Sequence, residues 1–178
     1  MPIYQTQRLG LRHLSLDDLP ALNRILSDPE VMRFSIRGVC DERATRRFIE
    51  SSLLAYARDG FGPWAVVANN TGELLGFCGI CHEPVGGRNE ISLGYRLAKQ
   101  QWGKGVATEA AEGALNLAFS RFELPEIVCL VEPKNRASLR VAEKVGFQQF
   151  SDISFHRRPV RCYRMTRHDW LKIHPSMG

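Results

Sequence analysis

The sequence predicts a mixed α/β fold with about seven strands and about four helices, in a single domain spanning residues 1–178. Three observations support this prediction. The chain of 178 residues is long enough for one domain with a proper core and short for two. Apolar residues recur at helical spacing in some segments, and alternate or run together as in strands elsewhere. No repeat, low-complexity tract or linker divides the sequence.

The N-terminal part predicts one strand followed by two helices. The segment RLGLRHL, residues 8–14, alternates apolar and polar positions as a strand does. Residues 15–28 place leucines and isoleucines at helical spacing, with Ser15 in the position of an N-cap. Residues 41–60 predict a second helix, which starts at a capping aspartate and stops at a glycine.

The middle of the chain changes to strand periodicity. Residues 63–69 and 73–83 are joined by the turn Asn-Thr-Gly, which predicts an antiparallel hairpin. A third strand, NEISLGYRL at residues 89–97, follows a Gly-Gly-Arg break. We expect a bulge at Gly94, because glycine weakens a strand interior unless a bend or a close approach is needed.

The C-terminal part predicts two helices and three strands. A long helix runs from about residue 105 to residue 121, and its small-residue face suits close packing on a sheet. The segment EIVCLVE, residues 126–132, is apolar on both faces, as in a central strand covered on each side. A short helix within residues 135–147 and two strands, 148–155 and 159–167, complete the order.

Composition and charge narrow the classes of function. No apolar run approaches the roughly 20 residues needed to cross a membrane, so no membrane association is expected. The first ten residues lack the apolar core of a secretory signal, which favours the cytoplasm. The net charge of +5 suits anionic ligands without demanding nucleic acid, and we expect no DNA partner. The lone Cys-x-x-C segment, CGIC, has no second pair, so no metal site is predicted.

The junction between the third strand of the middle region and the long helix raises the question of a bound anion. Gly103 and Gly105 stand where strong helix formers are expected, and glycine lets another molecule approach the backbone closely. The N-terminus of a helix carries unpaired N–H groups and a partial positive charge. The P-loop pattern is absent, and the dinucleotide pattern Gly-x-Gly-x-x-Gly ends here at Thr108. From these residues alone, it stays possible that the two glycines only form a turn and bind no ligand.

The stretch ISLGYRLAKQQWGKGVATEA resembles the signature Gln/Arg-x-x-Gly-x-Gly/Ala of the GNAT superfamily of acetyl-CoA-dependent N-acetyltransferases. Gln100, Gly103 and Gly105 occupy its defined positions. In the same order along the chain, TQRLGLRHLSLDDLPAL, DPEVMRF, PKNRASLRVAEKVGF and CYRMTRHDW resemble segments of the RimJ/RimL-like ribosomal-protein N-terminal acetyltransferases. The resemblance implies one GNAT domain, with a mixed, mostly antiparallel sheet in which a splayed strand pair holds the cofactor.

The resemblance also implies how acetyl-CoA (coenzyme A) is bound. The strand before the glycine loop pairs its exposed backbone groups with the pantetheine arm, and the loop amides cradle the pyrophosphate. Lys104 adds a positive charge, and Asn135 either bonds the cofactor arm or caps its helix. The expected cofactor-binding residues are Leu93, Tyr95, Leu97, Gln100, Gln101, Trp102, Gly103, Lys104, Gly105, Val106, Ala107, Thr108, Asn135 and Ser138.

The groups that move protons are less clearly marked. Many relatives carry a glutamate where this chain has Ser92. Glu90 lies two residues earlier on the same face of the strand, so we predict it as the general base, directly or through a water held by Ser92. Ser138 matches a serine that the resemblance places near the cofactor sulfur. The tyrosine that donates a proton in many relatives is replaced here by Ala142.

Two functions are compatible with these residues. The first is acetyl transfer to a primary amine, either a protein N-terminal α-amino group or a small-molecule amine, by direct attack in a ternary complex. The alternative is a non-catalytic acyl-CoA-binding or regulatory module, suggested by the missing glutamate and tyrosine. We expect the acceptor pocket to come from the first two helices and the last strand pair. Either a monomer or a homodimer is expected.

Overall fold

The structure is a computed structural model, which describes residues 1–177. The strands are β1 (Tyr4–Gln5), β2 (Leu9–His13), β3 (Pro63–Ala68), β4 (Leu74–Val85), β5 (Arg88–Leu97), β6 (Glu126–Val131), β7 (Gln149–Phe155) and β8 (Arg158–Thr166). The helices are α1 (Leu19–Leu26), α2 (Glu42–Asp59), α3 (Val106–Asn116), α4 (Arg136–Lys144) and α5 (Arg167–Ile173). All eight strands form one sheet in the order β1-β2-β3-β4-β5-β6-β8-β7, which confirms the predicted mixed fold.

The prediction from sequence missed one strand and one helix. Strand β1 has only two residues, paired antiparallel with β2, and is too short to show a period. The predicted last strand ran to residue 167, whereas helix α5 already begins there and continues to Ile173. Instead, the Thr166 side chain accepts a hydrogen bond from the Asp169 N–H at 3.1 Å, and the Asp169 carboxylate accepts one from the Thr166 N–H. This capping box starts a helix directly after β8.

The predicted helix boundaries follow local backbone chemistry. Asp41 caps α2 by accepting the Ala44 N–H, and Gly60 ends it in the left-handed conformation, as predicted. The segment after Ser15 begins with a 3-10 turn at Leu16–Asp18, so α1 itself starts only at Leu19. Helix α3 continues as a π-type turn to Arg121, which matches the predicted length of the helical segment.

The sheet is covered on both faces. On one face, the small residues of α3, such as Ala110 and Ala114, pack in a core that includes Trp64. On the other face, α1 and α2 pack in a second core that includes Ala65. Neighbouring residues of β3 therefore point into different cores, as the period of two in a strand requires. The prediction that β6 is buried on both faces is also confirmed, since Val128 and Cys129 are both buried.

The central pair of strands is the point where the sheet opens. β5 and β6 run parallel and are registered only at Ser92 and Val128, whereas β4 and β5 stay paired antiparallel from Val85–Arg88 to Gly76–Leu97. Beyond the Ser92–Val128 pair, both β5 and β6 contribute residues to the wall of a cavity. The expected splayed strand pair is therefore present in the fold.

The prediction of a bulge at Gly94 is wrong. Gly94 pairs with Gly79 in an unbroken β4–β5 register, and a register shift lies instead in β3, between Val66 and Val67. A Cβ atom placed on Gly94 would meet no atom within 4 Å, because this position faces open space beside the splay. Glycine here keeps that space clear and does not bend the strand.

Three further findings concern the chain as far as residue 177. No helix there has the length and apolar character needed to span a bilayer. No group of three or more His, Cys, Asp or Glu side chains is placed to hold a metal ion within the same residues. The five cysteines are free thiols, and four of them are buried.

Candidate active site

Two cavities meet where β5 and β6 diverge. The larger, of about 520 Å³, lies between the segment Tyr95–Thr108 and α4, and we call it the loop cavity. The smaller, of about 200 Å³, lies between the diverging ends of β5 and β6 and the β7–β8 hairpin, and we call it the strand cavity. The two share the residues Phe34, Tyr95, Arg96, Asn135 and Ser138. Two ligands, one in each cavity, would therefore touch the same side chains.

The loop cavity brings together most of the residues predicted to hold a cofactor. They are Tyr95, Leu97, Gln101, Trp102, Gly103, Gly105, Val106, Ala107, Thr108, Asn135 and Ser138. Leu93 and Ser92 line the strand cavity instead. Gln100, Lys104 and Glu90 line neither cavity. Two of the regions expected to supply the acceptor pocket line the strand cavity: Phe34 and Ile36 follow α1, and Phe155, Arg158 and Val160 belong to β7 and β8.

The glycine loop adopts the backbone conformation that explains its sequence. Gly103 and Gly105 have φ values of +74° and +78°, in the left-handed region that other residues resist. Gly105 directly precedes Val106, the first residue of α3. The first N–H groups of a helix have no acceptor within the helix, and the helix dipole adds positive potential there. Exposed amides at this edge of the loop cavity suit an anion.

Hydrogen bonds from Arg8, which the sequence did not indicate, hold this loop against the start of α3. Arg8, just before β2, donates from Nη1 to the carbonyl of Lys104 at 2.9 Å. The same guanidinium donates from Nε to Glu109 on α3 at 2.7 Å, and the Arg8 N–H donates to that carboxylate at 2.9 Å. The partners are about a hundred positions apart in the chain, so no local pattern indicates the pairing.

Basic side chains form the α4 edge of the loop cavity. Arg136, Arg140 and Lys144 follow at intervals of four residues along one side of α4, and Lys134 precedes the helix. Arg33, from the segment between α1 and α2, also lines the cavity. The positive potential of such a cluster attracts phosphate groups. The spacing of four along α4 is a signal that was present in the sequence and was not used.

A buried hydroxyl marks the place where the two cavities join. The Tyr95 hydroxyl is buried and, apart from the neighbouring Ser138 hydroxyl, has no partner among residues 1–177. Burial raises the pKa of this phenol, and the nearby Ser138 hydroxyl opposes that rise. Asn135 accepts the Ser138 N–H at 3.3 Å, so it caps α4 as one of the two readings of its sequence position predicted. This phenol can hold or give a proton at the junction.

The strand cavity contains a carboxylate that sequence reasoning missed. Glu83, on β4, lines it together with Ser92, on β5. Burial raises the pKa of Glu83, while the charges of His156 and Arg37 oppose the rise. Glu83 forms no ion pair within the described part of the chain. No motif indicates this residue, because its position beside Ser92 depends on the pairing of β4 with β5.

Glu90, the predicted general base, has a different environment. Its side chain is 6% exposed and is clamped by Arg164 on β8, whose Nη1 donates to Oε1 at 3.1 Å while Nη2 donates to Oε2. Arg164 also donates to Glu126 at 2.7 Å. Hydrogen bonding and charge from Arg164 lower the pKa of Glu90 despite its burial. The role of Glu90 as base stays a prediction, with its carboxylate engaged in an ion pair outside both cavities.

Comparison with known families identifies the class of protein that this fold and this junction represent. The acetyltransferase (GNAT) domain family matches residues 8–148. The chain therefore belongs to the GNAT family of acetyltransferases. This family membership makes the chain an acyltransferase, for which acetyl-CoA is the donor and amines are the acceptors.

Two similar proteins match nearly the whole chain. The chain is 33% identical to YkkB, an uncharacterized protein of Bacillus subtilis (strain 168), over 159 residues that cover 89% of this chain and 92% of YkkB. It is 31% identical to the acetyltransferase of Agrobacterium tumefaciens str. C58, whose crystal structure superimposes with a TM-score of 0.78 over 93% of this chain and 94% of that one.

One more distant structure bears on the subgroup. RimL, a ribosomal L7/L12 alpha-N-protein acetyltransferase in complex with coenzyme A, superimposes with a TM-score of 0.73 at 20% identity, covering 90% of this chain and 95% of RimL. At this identity the likeness shows the shared fold alone. The comparison therefore does not distinguish the RimJ/RimL-like subgroup from the rest of the family.

Proposed function

We propose that this chain transfers an acetyl group from acetyl-CoA in the loop cavity to a primary amine in the strand cavity. When bound, acetyl-CoA supplies the acetyl group as a thioester. The observation that carries the proposal is the junction of the two cavities at the splay of β5 and β6. Direct transfer requires both substrates to be held side by side, and such positioning lowers the barrier substantially.

The loop cavity fits coenzyme A in shape and in charge. The left-handed glycines present backbone amides at the start of α3, and these would hold the pyrophosphate. The basic edge of α4 supplies further charge for phosphate groups. The splayed backbone of β5 around Leu93–Leu97 would pair with the pantetheine arm, with Asn135 opposite it. Gln100 and Lys104 would act through the loop, since they line neither cavity.

Glu83 is the carboxylate best placed to take the proton of the amine. It lines the strand cavity, it has no ion-pair partner among residues 1–177, and burial raises its pKa. A base whose pKa lies nearer to the working pH is more effective at proton transfer. Ser92, on the neighbouring strand, can hold a water or the amine beside it. Glu90 stays a second candidate, which would first have to leave Arg164.

Tyr95 and Ser138 are the candidates for returning a proton to the departing thiolate. Both lie at the junction of the cavities, and the Tyr95 hydroxyl has no other partner within the described residues. A phenol at this position would compensate for Ala142, which stands where many relatives have a tyrosine. Of these two residues, Ser138 was predicted from the sequence to lie near the sulfur, whereas Tyr95 was not predicted as a proton donor.

The acceptor is a primary amine, and two classes remain within the proposal. The resemblance to the RimJ/RimL-like subgroup favours a protein N-terminal α-amino group in the cytoplasm. The strand cavity of about 200 Å³ admits one residue of such a chain, or a whole small-molecule amine. A module that binds acyl-CoA without chemistry is not favoured, because the strand cavity carries a carboxylate, Glu83, with no ion-pair partner among residues 1–177, and the junction carries the Tyr95 phenol.

The test is thiol release from acetyl-CoA with a panel of primary amines and N-terminal peptides, for the wild type and a matched pair of variants. We expect Glu83→Gln to lower kcat/KM at neutral pH by about 10²- to 10⁴-fold and to remove the acidic limb of the pH–rate profile. Glu90→Gln is the same isosteric change at the residue that pairs with Glu83 across β4 and β5, and it should keep that limb. Calorimetry should give both variants the coenzyme A affinity of the wild type.

Two results would overturn parts of this proposal. Absence of thiol release across the panel, with coenzyme A still bound, would refute the enzymatic function. Loss of the acidic limb in Glu90→Gln, together with its persistence in Glu83→Gln, would return the role of base to Glu90.

A further inference from the structure

Arg8 contacts the glycine loop on the side that faces away from the loop cavity. Its Nη1 donates to the carbonyl of Lys104 at 2.9 Å, and its Nε donates to Glu109 at 2.7 Å. A Cβ atom placed on Gly105 would lie 3.4 Å from Nη2, so the guanidinium also lies against the residue that precedes α3. Gly105 lines the loop cavity, whereas Arg8 lines neither cavity. Arg8 therefore holds the loop from behind and does not face a ligand in the cavity.

The position of the Arg8 guanidinium is itself fixed by α3. Glu109, in the first turn of that helix, accepts from Nε of Arg8 and also from the Arg8 N–H at 2.9 Å. The hydroxyl of Thr6 donates to the same carboxylate. The backbone and the side chain of Arg8 are thus both anchored to the start of α3, and the guanidinium links that helix to the carbonyl of Lys104.

The hydrogen bond to Lys104 decides which way one peptide group of the loop points. The described residues contain no cis peptide bond, and the C=O and N–H of a trans peptide point in opposite directions. The carbonyl of Lys104 is turned outward, to Arg8. The N–H of Gly105, in the same peptide, is therefore turned to the other side, where Gly105 borders the loop cavity. This N–H is one of the amides that the proposed function assigns to the diphosphate.

Without such a tie, the same peptide has a second orientation. Gly105 has a φ of +78° and a ψ of 7°, which are typical of the third residue of a type II turn. Rotation of the Lys104–Gly105 peptide converts a type II turn into type I, and glycine permits both. The C=O and the N–H then exchange directions. A carbonyl oxygen that faced the loop cavity would repel a phosphate, because both are negative.

Resting on the proposed binding of coenzyme A at this loop, we propose that Arg8 is a positioning residue for the cofactor diphosphate. It holds the Gly105 N–H toward the loop cavity before coenzyme A binds, and Glu109 supports this function by fixing the guanidinium. A loop that is already ordered loses less conformational entropy on binding, and the affinity is higher for that reason.

The experiment compares three ligands that differ in their phosphates, for the wild type and Arg8→Met. They are coenzyme A, dephospho-coenzyme A, which keeps the diphosphate and lacks the ribose phosphate, and pantetheine, which has the thiol arm and no phosphate. Calorimetry measures the first two, and ligand-observed NMR measures pantetheine. We expect Arg8→Met to weaken both diphosphate ligands by about 10-fold, the order of effect of a hydrogen bond to a charged group. The affinity for pantetheine should not change.

Two further variants show whether the geometry of the guanidinium is responsible. Arg12→Met is the matched control, because Arg12 on β2 also pairs with a carboxylate, that of Asp18 at 2.8 Å, and lines neither cavity. It should keep the wild-type affinity for coenzyme A. Arg8→Lys should recover only part of the lost affinity, because an ammonium group lacks the planar fork that reaches two acceptors at once.

Thermal unfolding of the apoprotein separates positioning from stability. The side chain of Arg8 is 48% exposed, and an ion pair this exposed contributes little to the stability of a fold. The thermal midpoint of Arg8→Met should therefore stay close to that of the wild type. A lower midpoint with unchanged affinity for coenzyme A would make Arg8 a structural residue and overturn the inference.

The ligand series gives two further ways to overturn the inference. Equal loss of affinity for coenzyme A and for pantetheine would show general loosening of the site. A loss for coenzyme A that dephospho-coenzyme A does not share would place the effect at the ribose phosphate.

The outcomes also distinguish this inference from the proposed transferase function. Binding of coenzyme A that depends on Arg8, with no acetylation of any amine in the panel, would support the inference and refute the transferase function. Acetylation by the wild type, with an affinity for coenzyme A that Arg8→Met leaves unchanged, would support the transferase function and overturn the inference.

Discussion

Replacing Gly105 by alanine tests whether the loop at α3 must be left-handed to bind coenzyme A. Gly105 has a φ of +78°, and an added Cβ would lie 3.4 Å from Nη2 of Arg8, the movable end of a long side chain. The contact is thus tolerable, and the penalty is conformational, about 1–2 kcal/mol for a non-glycine residue in this region. Gly103, with a φ of +74° and no atom within 4 Å, carries the same penalty without the contact.

The penalty can appear in two measurable quantities. If the altered loop keeps its shape without ligand, the free energy of unfolding of the apoprotein falls by about 1–2 kcal/mol. If the loop relaxes, the same free energy appears as weaker binding of coenzyme A, by about 5- to 30-fold. Because both glycines are exposed, we expect relaxation, and therefore most of the loss in affinity.

The assay combines urea unfolding of the apoprotein with calorimetric titration of coenzyme A. Gly105→Asn serves as the control, because asparagine adopts the left-handed region more readily than alanine and should lose less affinity. Gly103→Ala should resemble Gly105→Ala, since the two share the penalty. If Gly105→Ala leaves both the unfolding free energy and the affinity at wild-type values, the argument that the loop amides hold the cofactor in this conformation is refuted.

Two further predictions concern the ion pair and the junction. Arg164 lowers the pKa of Glu90 from its usual 4.5, so the pair stabilises the fold above that value and loses this contribution as pH falls through the lowered pKa. Glu90→Gln should therefore reduce the free energy of unfolding by about 1–3 kcal/mol at neutral pH. In urea unfolding, this difference from wild type should shrink in acid, and a constant difference would contradict the assignment. Tyr95→Phe should lower kcat by about 10²-fold or more, and combining it with Ser138→Ala should add little. Full turnover of Tyr95→Phe would remove the phenol from the proton path.

Several features of the fold and the site follow from neighbouring residues, and these were predicted well. Asp41 and Gly60 bound α2 through contacts made within a few residues. The same holds for Gly103 and Gly105, whose positive φ values serve the turn into α3. The capping box that Thr166 forms with Asp169 is equally local. It was overlooked because Thr166 was assigned to the final strand.

Features that depend on strand register were predicted poorly. The bulge expected at Gly94 is absent, because the β4–β5 ladder runs through that position without interruption. Glu90, the predicted base, is paired with Arg164 of β8, a partner 74 residues further along the chain that the sequence did not indicate. No period within a strand reveals which side chain the neighbouring strand will present.

The sequence by itself determined the family, the order of most elements and the glycine turn that leads into α3, because each of these depends on short stretches of neighbouring residues. Only the tertiary structure decided which charges are paired. It engages Glu90 with Arg164, and it leaves Glu83, on the wall of the strand cavity, without an ion-pair partner among residues 1–177. The physical reason is that ion pairing falls off within a few ångströms, and such distances between remote residues exist only once the sheet has formed.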